Sequence, residues 1–148
     1  MSDVTDTPRT ATADELEQIA ATLGPVGEYV GLRVTEASSD RLVATWTVEP
    51  RHLQPYGLVH GGIHCTVVET LGSVAGAIWF GERGKVVGVS NSTDFYRAAT
   101  EGEITSVAEP VHRGRTQQVW VVENRDAQGR LLARGQLRVQ NLPHRASD

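Results

Sequence analysis

From Gly57 to Gly81 the chain carries a single Asp, Glu, Lys or Arg, and that residue is Glu69. A stretch this poor in charge must leave water over much of its surface, so it limits the possible folds more sharply than any other segment. It is too long for one strand, and its Val, Leu, Ile and Ala recur at helical spacing. Its length would almost span a bilayer. However, six of its residues are glycine and a carboxylate lies at its centre, and one ionisable group there costs about 3 kcal/mol on insertion scales. Strand-forming sequence on both sides favours the other solution, a helix wrapped inside a sheet.

The flanking sequence reads mostly with period two. Leu42, Ala44, Trp46 and Val48 alternate with polar or exposed-type residues, as in a strand buried on one face. Leu131, Ala133, Gly135, Leu137 and Val139 do the same, and the turn Asp126-Ala127-Gln128-Gly129 ties that strand to Thr116–Asn124 as a hairpin. Lys85–Ser92 and Ile104–Val111 supply two more strands. Ahead of them, Thr12 and Glu15 have capping-box spacing, Leu16, Ile19, Ala20 and Leu23 share a helical face, and Gly24-Pro25 stops the run.

With 148 residues, 39% of them hydrophobic, the chain suits one domain with its own core. That domain is expected over 12–142, between a disordered tail at 1–11 and a frayed end at 143–148. The start, MSDVTDTPRT, has neither a basic opening nor an apolar run, so it does not read as a signal peptide. One cysteine allows no intrachain disulfide and suits the cytoplasm. A net charge of −4 argues against a nucleic-acid partner.

At about 100° per residue the central helix has two faces. Ile63, Val67, Leu71, Val74, Ala75 and Ile78 form an ordinary core stripe. Gly62, Cys65, Glu69, Gly72, Ser73 and Gly76 form a face of small residues around one carboxylate. Small side chains admit a second backbone or a ligand. An ionised Glu buried there alone would be costly and its pKa would rise, which marks a candidate functional group. A structural alternative is that Glu69 pairs with an Arg of a neighbouring subunit and fixes the assembly.

The segment Gln54-Pro55-Tyr56-Gly57-Leu58-Val59-His60-Gly61-Gly62 leads into the helix. Glycines at a helix start expose backbone N–H groups, and the macrodipole adds positive potential, so a carbonyl oxygen gaining charge can be held there. Glu69 lies roughly 12 Å further along by helical rise. One helix does not easily bring both groups to one reacting centre. Two antiparallel copies would, so a dimer with a shared site is expected.

These residues resemble the hotdog-fold acyl-CoA thioesterases, and more closely the phenylacetate-pathway-like group with its aryl-CoA (4-hydroxybenzoyl-CoA type) branch. The resemblance runs from about Tyr29 to Leu142. It rests on Gln54, His60-Gly61-Gly62, Glu69 nine residues after His60, and Ser73 one turn later. Further support comes from Val87-Gly88-Val89-Ser90-Asn91, Ala108-Glu109-Pro110-Val111-His112-Arg113-Gly114-Arg115 and Ala133-Arg134-Gly135.

The resemblance implies an α+β hotdog fold, with a long central helix wrapped by a curved antiparallel sheet of five to six strands. It also implies homodimers that often pair into homotetramers, and hydrolysis of an acyl- or aroyl-CoA to free acid and CoA. No cofactor is implied beyond the coenzyme A of the substrate. By match to the family pattern, Glu69 is the catalytic acid, acting as nucleophile or as general base. The Gly61 N–H polarises the carbonyl, Gln54 orients the carbonyl or a water, Ser73 hydrogen-bonds the acid or the water, and His60 supports the loop. Some relatives carry a substrate-contacting His after the Asn matched by Asn91, and here Phe95 takes that place.

A thioester suits this set of groups, because its thiolate leaves with a pKa near that of Cys, about 8.5, and needs little general-acid help. Asn91, Arg97, Arg113, Arg115 and Thr116 are the substrate- or CoA-binding candidates, since Arg and backbone N–H groups suit phosphates; solvent-facing strand-end charges are the alternative. His60, His64, Cys65 and Glu69 do not share the one face a metal would need, so no metal is expected. Cys65 lacks an oriented base and reads as a small buried residue. Trp79 and Phe80 line an acyl pocket or pack the core. The other function classes are a hydratase or dehydratase on the same fold, whose motifs fit His60-Gly61-Gly62 poorly, and a non-catalytic acyl-CoA-binding module.

Overall fold

The computed structural model describes residues 9–146. Of the expected tail at 1–11, residues 1–8 lie outside them, as do the last two residues of the expected frayed end, while the Ala11 N–H donates to the Ala37 carbonyl at 2.8 Å. The capping box forms as the spacing predicts. The Thr12 side chain accepts from the Glu15 N–H, and the Thr12 N–H donates to the Glu15 carboxylate at 2.7 Å. Together they open helix α1, Ala13–Ala21. The Arg9 guanidinium, bonded to the same carboxylate, and the Thr12 N–H hold Glu15 down at about 2.

Helix α1 stops at Ala21, with Thr22 as its C-cap, and Gly24-Pro25, expected to end it, instead starts another helix, α2, Gly24–Val30. Proline fits a first helical turn because its missing N–H would have no partner there. Gly31, at φ 84°, closes α2.

Six strands follow the order β1-β2-β4-β5-β6-β3 in one antiparallel sheet. They are β1 Arg33–Ala37, β2 Leu42–Thr47, β3 Gly84–Phe95, β4 Glu103–Arg113, β5 Gln117–Arg125 and β6 Leu131–Pro143. The charge-poor segment is helix α3, Gly61–Phe80, packed on β3, β4, β5 and β6. Val67, Val68 and Leu71 have no exposed surface, and Trp46, Trp120 and Leu137 meet them from the sheet. Each such side chain contributes roughly 1.5–3 kcal/mol by leaving water. Although apolar and long enough to cross a membrane, α3 is the core helix of this sheet.

The small-residue face has a different use from the one expected. A Cβ on Gly72 would stand 2.6 Å from the Leu137 side chain, and one on Gly76 would stand 3.1 Å from the Gln118 amide oxygen. These glycines let α3 lie close on its own sheet, so they do not form a free face for a second helix. Two of the stripe's members are therefore core. In the same way, Ile63, Val74 and Ile78 are only half-buried, while His64 and Val68 belong to the buried set.

A buried amide network fixes the β4–β5 turn. Trp120 Nε1 donates to Gln118 Oε1 at 2.7 Å, and Gln118 Nε2 donates to Asn141 Oδ1 at 2.7 Å and to the Gly76 carbonyl. Asn141 Nδ2 in turn donates to the carbonyls of Gly114 and Arg115. At the far edge of the sheet, β3 pairs only with β6 among the described residues and exposes Val87, Val89 and Phe95.

Candidate active site

The start of α3 is built by His60. Its Nδ1 accepts the Gly62 N–H at 2.8 Å as the helix N-cap. A Cβ on Gly62 would crowd that same nitrogen at 2.8 Å, so the second glycine gives the ring room to cap. The supporting role expected of His60 therefore has a geometry. Because Gly62 takes the cap, the Gly61 N–H is left without a hydrogen-bond partner among the described residues.

Beside it, Gln54 Oε1 accepts from the Tyr56 N–H, which fixes the amide and leaves its Nε2 as a donor. Gln54 and Gly61 line one cavity of about 310 Å³ with His64, Phe95, Tyr96 and Arg97. Its lining holds no carboxylate. Both residues lie at the positive end of the α3 dipole, which suits an oxygen acquiring negative charge.

Glu69 lies elsewhere, roughly 12 Å along the helix. It is half-buried and faces β3. A Cβ on Gly88 would overlap its Oε1 and stand 3.1 Å from its Cδ, so the carboxylate rests on bare strand backbone. Asn91 Nδ2 donates to Glu69 Oε2 at 3.2 Å and to the Cys65 carbonyl at 3.0 Å. Thr93 Oγ1 donates to Asn91 Oδ1 at 2.7 Å, which turns the amide nitrogen towards the helix. Glu69 is therefore not isolated, and it pairs with no Arg among the described residues.

Gly88 and Thr93 were not singled out from sequence. A lone Gly within the strand pattern was the available signal, since it marks a bulge or a close approach. The β3–β6 register does shift between Gly88 and Ser90.

The remaining candidates divide. Ser73, one turn beyond Glu69, lines a separate groove with Thr22, Lys85 and Val86, and its hydroxyl makes no hydrogen bond to Glu69 among the described residues. Arg113 is engaged within the chain: its Nη1 donates to Asp40 Oδ1 at 2.7 Å and to the Ser39 carbonyl at 2.8 Å, and it stacks on Trp79. Arg97 and Arg115 are exposed and form no ion pair among the described residues. Thr116, in the β4–β5 turn, accepts the Asn141 N–H.

Trp79 is sandwiched between Arg83 and Arg113, and Phe80 is buried beside it, at the end of α3 remote from the cavity. Both residues are packing. His60 and His64 are committed to separate partners, the Gly62 N–H and the Asn124 amide. Burial pushes the His64 imidazole down to about 4.

Comparison with known proteins agrees with this architecture. A family model described as the thioesterase superfamily matches residues 56–133. The proofreading thioesterase EntH of Cronobacter turicensis is 40% identical over 116 residues, covering 78% of this chain and 85% of that protein. The 1,4-dihydroxy-2-naphthoyl-CoA hydrolase of Escherichia coli K12 is 38% identical over 109 residues, covering 74% and 80%. The crystal structure of AziG from S. sahachiroi superposes with a TM-score of 0.81 at 56% identity, over 82% of this chain and 99% of that one. With its long α3 against a six-stranded antiparallel sheet, the chain is a hotdog-fold thioester hydrolase and belongs to the thioesterase superfamily.

Proposed function

We propose that the protein hydrolyses an acyl- or aroyl-CoA thioester to the free acid and CoA, at a site shared between two copies of the chain. The observation that carries this reading is the division of one helix into two half-sites. The unpartnered Gly61 N–H and the Gln54 amide lie at its start, and Glu69 is held against β3 about two turns later.

In the shared site, the thioester oxygen rests on the Gly61 N–H, and the Glu69 of the other copy works on the carbonyl carbon. Glu69 either adds to that carbon itself or takes a proton from the water that adds. In both routes the carbonyl π pair moves onto oxygen and returns as the C–S bond breaks. CoA leaves as a thiolate. On the first route the acyl group is then a mixed anhydride with Glu69, which water cleaves to the free acid and the carboxylate. On the second the attacking water has already supplied the acid's hydroxyl. Gln54 Nε2 orients the carbonyl or the water. Asn91, the candidate substrate contact on β3, also positions Glu69 through its amide.

The free edge of β3 supports pairing of two copies beside Glu69, and a homotetramer is the proposed assembly. Arg97 and Arg115, with the turn at Thr116, are proposed to meet the CoA phosphates, since Arg113 is bonded to Asp40. The proposed reaction needs no cofactor, and a cytoplasmic enzyme is the reading that a CoA substrate supports.

The test is thiol release over a panel of aliphatic and aromatic acyl-CoAs. Glu69→Ala is expected to lose activity by about 10²–10⁴-fold while remaining folded, and Glu69→Gln to lose somewhat less. Normal turnover by a folded Glu69→Ala protein would remove Glu69 from the chemistry. Mixing Glu69→Ala subunits with Gln54→Ala subunits is expected to restore part of the activity, because one of the two sites then has both groups. Absence of release from every thioester would favour a binding module.

A further inference from the structure

Four buried side chains connect the core to the cavity at the start of α3. Trp46 Nε1 donates to Ser106 Oγ at 3.0 Å, Ser106 Oγ lies 2.6 Å from Asn124 Oδ1, and Asn124 Nδ2 lies 3.1 Å from His64 Nδ1. Trp46, Ser106 and Asn124 have no exposed surface, and His64 has 3%.

Only one set of directions satisfies this chain. An indole nitrogen can only donate, so Ser106 must receive from Trp46 and pass its own proton to Asn124 Oδ1. The Asn124 amide then has N–H groups to offer His64 Nδ1, and the imidazole proton is left on Nε2. The reverse orientation of Asn124 would leave the Ser106 hydroxyl hydrogen buried without an acceptor.

His64 Nε2 has no hydrogen-bond partner among the described residues, yet no buried side-chain nitrogen or oxygen among them lacks one. Nε2 is therefore not sealed in the core. It lies on the edge of the ring turned away from Asn124, and the opening His64 lines is the cavity shared with Gly61, Gln54 and Phe95. Burial, which holds His64 neutral, keeps this nitrogen a donor at ordinary pH.

We propose that His64 is a specificity-determining residue, whose Nε2–H, set by the Trp46–Ser106–Asn124 chain, binds an oxygen acceptor carried by the acyl group of the substrate. This rests on the reading that the Gly61–Gln54 cavity receives the acyl end of a thioester. Acyl groups with a hydroxyl or carbonyl oxygen are then selected over their hydrocarbon counterparts, which leave a donor facing an apolar ring.

The experiment compares benzoyl-CoA with 2-, 3- and 4-hydroxybenzoyl-CoA in wild type, His64→Phe and His64→Gln. At least one hydroxylated thioester is expected to exceed benzoyl-CoA by about tenfold in kcat/KM, mainly through KM, as one added hydrogen bond would give. His64→Phe is expected to level that ratio, the larger loss falling on the hydroxylated thioester. His64→Gln, which keeps both a donor and an acceptor for Asn124, is expected to preserve part of it and serves if His64→Phe does not fold. Equal losses on all substrates, or a ratio that survives in His64→Phe, overturn the proposal.

Calorimetry with benzoate and the three hydroxybenzoates separates this from the reading of function. Tighter binding of a hydroxybenzoate that depends on His64 supports the donor even if no thioester is cleaved. Turnover of all four thioesters with no preference in wild type refutes the donor and leaves the hydrolase reading standing.

Discussion

Gly88→Ala is the most discriminating single change, because the added methyl group meets the proposed catalytic carboxylate and little else. The three nearest atoms to a Cβ at Gly88 all belong to Glu69, with Cδ at 3.1 Å, Oε2 at 3.5 Å and Oε1 in overlap. Comfortable contact is about 3.5 Å, so the carboxylate must move by roughly 1 Å. That shift also strains the 3.2 Å bond from Asn91 Nδ2.

Misplacement by this distance costs about 10²-fold in rate, or about 2.7 kcal/mol of barrier. The fold should hardly notice. Gly88 has no left-handed φ, the atom displaced is the end of a flexible side chain, and Ala is the better residue in a strand by about 0.5–1 kcal/mol. The expected result is a melting temperature at or slightly above wild type, with kcat for acyl-CoA hydrolysis down about 100-fold. A folded Gly88→Ala protein with wild-type kcat would refute the idea that Glu69 must rest on bare β3 backbone.

Two further predictions concern stability. Gly135→Ala places a Cβ 2.5 Å from Thr93 Oγ1 and 2.6 Å from Val68 Cγ2, between two stiff β-branched side chains, so urea unfolding should show a loss of about 1–3 kcal/mol. Acid should weaken the protein through His64. Its imidazole is neutral in the fold down to about 4, whereas the unfolded chain takes up the proton near 6.5. The unfolded state thus binds more protons between those values. The stabilisation is complete above pH 6.5 and is lost as pH falls to about 4, by about 3 kcal/mol in total. Denaturant titrations of wild type and His64→Gln across that window should show a smaller loss in the variant.

Much of this protein can be read from its sequence because the signals are local. Pattern along the chain located five of the six strands, missing β1 at Arg33–Ala37. The Thr12–Glu15 spacing gave the capping box, and the lone charge between Gly57 and Gly81 defined a core helix with one carboxylate to explain. The string from Gln54 to Ser73 carried the family. Local pattern failed where a residue's neighbour is distant in sequence. Gly72 and Gly76 looked like an open face because no helical wheel shows Leu137 or Gln118 on the strands beneath them. Arg113 looked like a free phosphate ligand because its partner, Asp40, is 73 residues away. Gly24-Pro25 looked like a stop because a stop and a start use the same residues.

Tertiary structure decided which of these groups are free to act. By taking Gly62 as its cap, His60 leaves the Gly61 N–H unpartnered, and Gly88 and Asn91 on an edge strand set the position of Glu69. His64 entered the sequence as one of two histidines at helical spacing. Only the fold joins it to Asn124 and leaves a single nitrogen facing the cavity. The chemical types are written along the chain. Their availability depends on hydrogen bonds between β2, α3, β4 and β5, which no single segment contains.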